Sequence, residues 1–224
     1  LSSVHVGQWG TYVTADEVTK NHARLTVRTT VDNCQSSPAT LVLRTELVDA
    51  EGRVVAQAPA ASLEVQSQTQ AEARQELALD NPMLWSIEHP YLYDVRTTVL
   101  AGGEVADVYH TPFGIRTFKF DAKKGFFLNG QHVKINGVCM HHDLGCLGAA
   151  VNTRAIERQL EILKEMGCNG IRCSHNPPAP ELLDLCDRMG FIVMDETFDM
   201  WRKKKTAHDY ARYFNEWHER DLTD

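Results

Sequence analysis

The feature that most constrains this chain is a change of hydrophobic period near residue 120, after which one strand–helix unit is written twice. Asn169-Gly-Ile-Arg-Cys173 and Phe191-Ile-Val-Met194 are apolar runs of strand length, and each follows a helical pattern. The first helix, capped by Asn152 or Thr153, carries Ile156, Leu160, Leu163 and Met166 at helical spacing and stops at Gly167. The second opens on Pro180, which suits a first helical turn, and buries Leu182, Leu183, Leu185, Cys186 and Met189 before Gly190 ends it. The two Met-Gly stops lie 23 residues apart, and Val133–Cys139 supplies an earlier strand. Strand–helix repeats build either an open parallel sheet or a (β/α)8 barrel. A whole barrel takes ~250 residues, so the stretch after residue 120 holds about three units of an incomplete one. The chain is therefore expected to be cut from something longer. Leu1 reads as already inside a strand, and a last helix beginning near His208 runs toward Asp224.

Residues 1–120 follow another rule. Ala23, Leu25, Val27, Thr29 and Val31 alternate with Arg24, Thr26, Arg28 and Thr30, the period of a half-buried strand. Leu41, Leu43 and Leu47 repeat it, as do Tyr93, Val95, Thr97 and Val99, with turn clusters at 49–53 and 101–103. Short strands at regular spacing with polar turns predict an antiparallel sandwich, and the absence of a Cys…Trp…Cys pattern argues against an antibody-type domain.

Composition narrows the classes. With 43% hydrophobic and 24% charged residues the chain is globular rather than disordered. A formal charge of −7 gives no footprint for phosphate backbones, so no nucleic-acid partner is expected, and no apolar run reaches the ~18 residues of a membrane span. The six cysteines form no CxxC pair and no zinc-ribbon spacing, and read as free buried thiols. Cytoplasmic, periplasmic and secreted placements all stay open.

In a strand–helix barrel the chemistry sits where strands end, on the C-terminal face. Those positions hold His141-His142-Asp143 after the first strand, and Arg172, Ser174, His175 and Asn176 after the second. Asp195, Glu196, Asp199 and Trp201 follow the third. One such histidine alone would read as a structural hydrogen bonder; three polar strand ends together read as a site. His141, His142, Asp143 and His175 have no characteristic metal spacing, so neither metal nor cofactor is expected. A Cys173–His175 nucleophile pair is disfavoured, because apolar neighbours raise a thiol pKa. Arg202-Lys-Lys-Lys205 reads as a solvated loop.

Asn169-Gly-Ile-Arg-Cys-Ser-His-Asn-Pro177 and Leu185-Cys-Asp-Arg-Met-Gly-Phe-Ile-Val-Met-Asp-Glu196 resemble the signature of glycoside hydrolase family 2. Asn81-Pro-Met-Leu-Trp-Ser-Ile-Glu-His-Pro-Tyr-Leu-Tyr93, Phe113-Gly-Ile-Arg116 and Phe127-Leu-Asn-Gly130 extend the resemblance, in the family's order. It implies an immunoglobulin-like β-sandwich over residues 1–120 and the N-terminal part of a (β/α)8 TIM barrel over 121–224. It also implies retaining hydrolysis of terminal β-linked sugars, with β-galactosidase favoured and β-glucuronidase, β-mannosidase or a non-catalytic carbohydrate-binding module as alternatives. His141 and His175 match histidines that bind sugar hydroxyls, and Arg172 matches an arginine close to the nucleophile. Asp195 and Glu196 match supporting residues. The two catalytic glutamates are expected beyond Asp224; Glu196 and Glu216 do not lie in the family's Asn-Glu motif. Met200 and Arg202 stand where magnesium-dependent members carry ligands, so no magnesium is expected there. Asn176 replaces a more familiar Tyr, which leaves the sugar open, and Trp201 is either a sugar-stacking plane or a buried rim residue. Homo-oligomerisation of the parent protein is left open.

Overall fold

The computed structural model describes residues 2–223, and the chain divides into two compact units, one ending at His132 and the other starting at Val133. The reading of Leu1 as part of a strand falls outside the described residues. Among those residues no helix is long and apolar enough to cross a membrane.

The first unit is an antiparallel sandwich. Its strands are β1 (Val4–Asp16), β2 (His22–Asn33), β3 (Ala39–Val48), β4 (Val54–Gln57), β5 (Ala61–Val65), β6 (Thr69–Asp80), β7 (Tyr93–Ala101) and β8 (Glu104–Phe113). One sheet has the order β1-β2-β6; in the other, β3 pairs β7 on one side and both β4 and β5 on the other, with β8 beyond β7. The period-two residues do what their pattern requires: Leu25, Val27 and Val31 of β2 are fully buried with Leu41, Leu43 and Leu47 of β3 and Val95 and Val99 of β7. A small sheet of β9 (Phe118–Asp121), β10 (Gly125–Leu128) and β11 (Gln131–Val133) follows. Asn129 and Gly130 link β10 to β11, both at positive φ, the backbone that a two-residue hairpin of type I′ needs.

The motifs at 81–93, 113–116 and 127–130 meet around Trp85, which is 1% exposed. The Trp85 N–H donates to the Ile115 carbonyl (2.8 Å) and the Asn129 amide donates to the Trp85 carbonyl (2.9 Å). The Arg116 guanidinium lies 4.4 Å from the indole centroid, and Gly114 leaves room for the ring, since a Cβ there would sit 2.8–2.9 Å from three Trp85 carbons.

The second unit alternates β12 (Gly137–Met140), α1 (Thr153–Glu165), β13 (Gly170–Cys173), α2 (Pro180–Met189), β14 (Ile192–Met194) and α3 (Phe214–Thr223). The strands are parallel and in sequence order, with Cys139 beside Arg172 and Arg172 beside Met194. This is the opening of a (β/α)8 barrel, three strand–helix units long. Asn152 is the cap of α1, accepting from the Ala155 N–H at 2.9 Å. Pro180 is at the start of α2, and Gly190 ends it in the left-handed conformation. Ile156 and Leu160 of α1 and Leu182, Leu185 and Cys186 of α2 pack on Ile171, Cys173 and Phe191.

Four expectations need correction. The strand read as Val133–Cys139 is two, β11 and β12, because the Asn169 side chain takes over the backbone between them: its Oδ1 accepts from the Asn136 N–H (2.7 Å) and its Nδ2 donates to the Lys134 carbonyl (3.0 Å). Met166 does not join the buried face of α1; it caps the helix end and is 70% exposed. The last helix starts at Phe214 rather than near His208, since the Asp209 carboxylate accepts from the Lys205, Thr206 and Ala211 N–H groups and holds a separate turn. Finally, Cys34, Cys139 and Cys146 are exposed and Cys168 is half-buried; among the six free thiols only Cys173 and Cys186 are buried.

Candidate active site

Alternation along a strand places Arg172 on the face opposite Ile171 and Cys173, whose side chains pack toward the helices. Because β12 and β13 run in register, the side chain beside Arg172 is Cys139, and the Arg172 Nη1 donates to its Sγ at 3.3 Å. The Arg172 Nε donates to Glu196 Oε1, just beyond β14. The other carboxylate oxygen, Oε2, is 3.0 Å from His175 Nδ1, and the Arg172 Nη2 is 3.3 Å from the same nitrogen. Three side chains from two adjacent strand ends thus close a ring of polar contacts. The His141 ring stands edge-on to His175, with centroids 5.4 Å apart, which adds the end of β12.

The electrostatics follow from this ring. Hydrogen bonding to Arg172 holds the Glu196 carboxyl below the usual glutamate range, and the same contact raises the Arg172 guanidinium. The Ser174 hydroxyl, and then Arg172, pull the Cys139 thiol down. Burial pushes Cys173 up to about 11 and Cys186 to about 12, so neither is suited to be a nucleophile at neutral pH. The Ser174–His175 peptide is cis.

The ring opens onto a cleft lined by Arg172, His175, Asp195, Glu196, Asp199 and Trp201. Trp201 stacks one face on Phe214 (5.8 Å, planes 16° apart) yet stays 64% exposed, so it is a rim residue but not a buried one. Lys205 is tied to Asp199 at 2.8 Å. His142 and Asp143 lie on the loop after β12, where Asp143 Oδ1 accepts from the Gly145 N–H (2.8 Å) and shapes the turn. Glu216 is on the exposed side of α3. Among the described residues no three His, Cys, Asp or Glu side chains converge as a metal-binding group. A second hollow, enclosed by the 140–151 loop, α1 and α2, is largely apolar and contains no comparable network.

Sequence reasoning placed Glu196 among the supporting residues without naming its partners Arg172 and His175, and missed Cys139 as a neighbour of Arg172. The available signal was the parallel register, which sets the residue two positions into β12 beside the one two positions into β13.

Comparison with known proteins completes the assignment. The family model for glycosyl hydrolases family 2 matches residues 4–116, and the model of that family's TIM barrel domain matches residues 121–221. The chain is 64% identical over 221 residues to the beta-galactosidase BoGH2A of Bacteroides ovatus, covering 99% of this chain and 26% of that protein. A solved family 2 member from Bacteroides cellulosilyticus superposes with a TM-score of 0.92 at 40% identity, over 98% of this chain and 28% of that one. The beta-glucuronidase of Bacteroides uniformis superposes with a TM-score of 0.82 at 28% identity, over 92% of this chain and 25% of that one. The chain spans 16–26% of the length of the curated relatives first matched. With two consecutive domain models matched from residue 4 to residue 221, in the order in which the sandwich and the barrel strands occur, the chain belongs to glycosyl hydrolases family 2.

Proposed function

We propose that this chain forms the sugar-recognising wall of the active site of a retaining, exo-acting β-galactosidase. The observation that carries the reading is the Arg172–Glu196–His175 ring at the ends of parallel barrel strands, facing a cleft edged by Trp201. A retaining glycosidase needs two carboxyls ~5–5.5 Å apart and gains several kcal/mol from hydrogen bonds to sugar hydroxyls that strengthen as the oxocarbenium-like transition state forms. His175 and His141 are assigned to such hydroxyl contacts. Arg172 is the fixed cation that keeps a neighbouring nucleophilic carboxylate ionised. Asp195 supports the rim, and Trp201 offers its uncovered indole face to the apolar side of a pyranose. The acid/base and nucleophile glutamates are assigned to residues beyond Asp224, so the chain by itself binds sugar but does not cleave it. Galactose is preferred as the sugar because the beta-galactosidase of B. ovatus is 64% identical.

Calorimetric titration of the purified chain with galactose and with glucuronic acid tests this. Galactose should bind in the millimolar range and the heat should vanish in His175→Ala. Preference for glucuronic acid would reassign the substrate to β-glucuronides, and galactose binding that survives His175→Ala would move recognition to the sandwich. Turnover of an aryl β-galactoside by the chain alone would refute its assignment as catalytically inert.

A further inference from the structure

The ring nitrogen His175 Nδ1 faces two partners with opposite demands. Glu196 Oε2, 3.0 Å away, can only accept a hydrogen; the Arg172 Nη2, 3.3 Å away, can only donate one. A neutral imidazole carries either a proton or a lone pair on Nδ1, so one of these contacts is a hydrogen bond and the other is not.

Three observations decide which. The carboxylate contact is the shorter of the two. Arg172 is already engaged through Nε on Glu196 and Nη1 on Cys139, so its cation is compensated without His175. Glu196 Oε2, in contrast, has only the His175 contact among the hydrogen bonds of the described residues; a lone pair on Nδ1 would set two acceptors against each other at 3.0 Å. We infer that Glu196 is a positioning residue that fixes His175 in the Nδ1–H tautomer, so that a neutral His175 presents Nε2 as a hydrogen-bond acceptor.

The consequence is a polarity for the site. No hydrogen bond engages Nε2 among the described residues, and His175 lines the cleft. In the neutral ring Nε2 accepts, so the sugar hydroxyl it meets must donate; Glu196, by holding the Nδ1 proton, sets that direction without touching the sugar. The sugar as donor rests on the proposed function; the tautomer does not.

The test is a long-range proton–nitrogen correlation spectrum of the chain with 15N-labelled histidine, taken on the alkaline limb of a pH series where the ring is neutral. His175 is assigned by the signals lost in His175→Ala. The expected pattern is a protonated Nδ1 and an unprotonated Nε2. Arg172→Met should leave the pattern in place, while Glu196→Ala should shift the tautomer ratio several-fold toward Nε2–H, with the backbone amide spectrum showing that each variant is folded. A protonated Nε2 in the unaltered chain would overturn the inference, as would a pattern that ignores Glu196→Ala or follows Arg172→Met. Added galactose should then move the Nε2 signal. Finding the Nδ1–H tautomer with no response to galactose would uphold the role of Glu196 and refute the sugar-binding role of His175.

Discussion

Replacing Gly114 by Ala should destabilise the sandwich by about 2 kcal/mol, a cost set by how firmly Trp85 is held. The new Cβ would lie 2.8 Å from Cδ1 and 2.9 Å from both Cβ and Cγ of Trp85. The indole cannot move away freely, since the side chain is 1% exposed and Arg116 stands 4.4 Å from its centroid. Nor can the backbone, which is tied at the Trp85 N–H to Ile115 and at its carbonyl to Asn129. Forcing a methyl into a packed site costs ~1–3 kcal/mol, and a neighbour pinned on both sides belongs at the upper end. Against about 3 kcal/mol stands the gain of ~0.4–1 kcal/mol from restricting the unfolded chain. A net loss of about 2 kcal/mol corresponds to a fall in Tm of roughly 8 °C at ~4 °C per kcal/mol for a unit of this size. Urea unfolding followed by tryptophan fluorescence reads it directly, because Trp85 is the deeply buried indole of the first unit. A loss below about 0.5 kcal/mol would show that the Trp85 site can relax and that the packing argument is wrong.

Leu160 is fully buried between α1 and the barrel strands, and Leu160→Ala should cost ~2–5 kcal/mol, seen as loss of helical circular dichroism at lower temperature; an unchanged melt would contradict the second unit's core. Mild alkylation at neutral pH should label Cys139 before Cys34 and Cys146, since Ser174 and Arg172 lower its thiol, while Cys173 and Cys186 stay protected until denaturant is added. Mass spectrometry of the peptides gives the order, and early labelling of Cys173 would count against its burial beneath α1 and α2. Glu196 is held below its ordinary range, so its contribution to stability is present above the unfolded glutamate range and is lost as pH falls through the lower, folded value. Arg172→Met should therefore flatten the acid limb of a Tm-against-pH curve; an unaltered limb would mean that the ion pair does not form in solution.

Much of this was written in the chain. The Met-Gly stops and the apolar spacing of α1 and α2 gave the helices, because helix ends need a residue tolerant of positive φ and helix faces repeat every turn. The sandwich core was legible from alternation in β2, β3 and β7, since burial of one face demands it. Most of what escaped depended on side chains acting across distance. Asn169 interrupts the backbone between β11 and β12 through an amide that no local pattern announces, whereas Asp209 delays the last helix by a local capping turn that the helical spacing alone does not reveal. The candidate site was legible as strand ends, yet the pairing of Glu196 with both Arg172 and His175 exists only once β13 and β14 lie side by side. Trp201 needed its neighbour Phe214, 13 residues on, before its exposed and covered faces could be told apart.

The central claim, that the ends of β12, β13 and β14 form a sugar-binding wall, is tested most directly by a crystal structure of this chain soaked with galactose. The account predicts the sugar in the cleft, with hydroxyls on His175 and His141 and its apolar face against Trp201. Galactose seated on the sandwich, or absent from the cleft at saturating concentration, would contradict it.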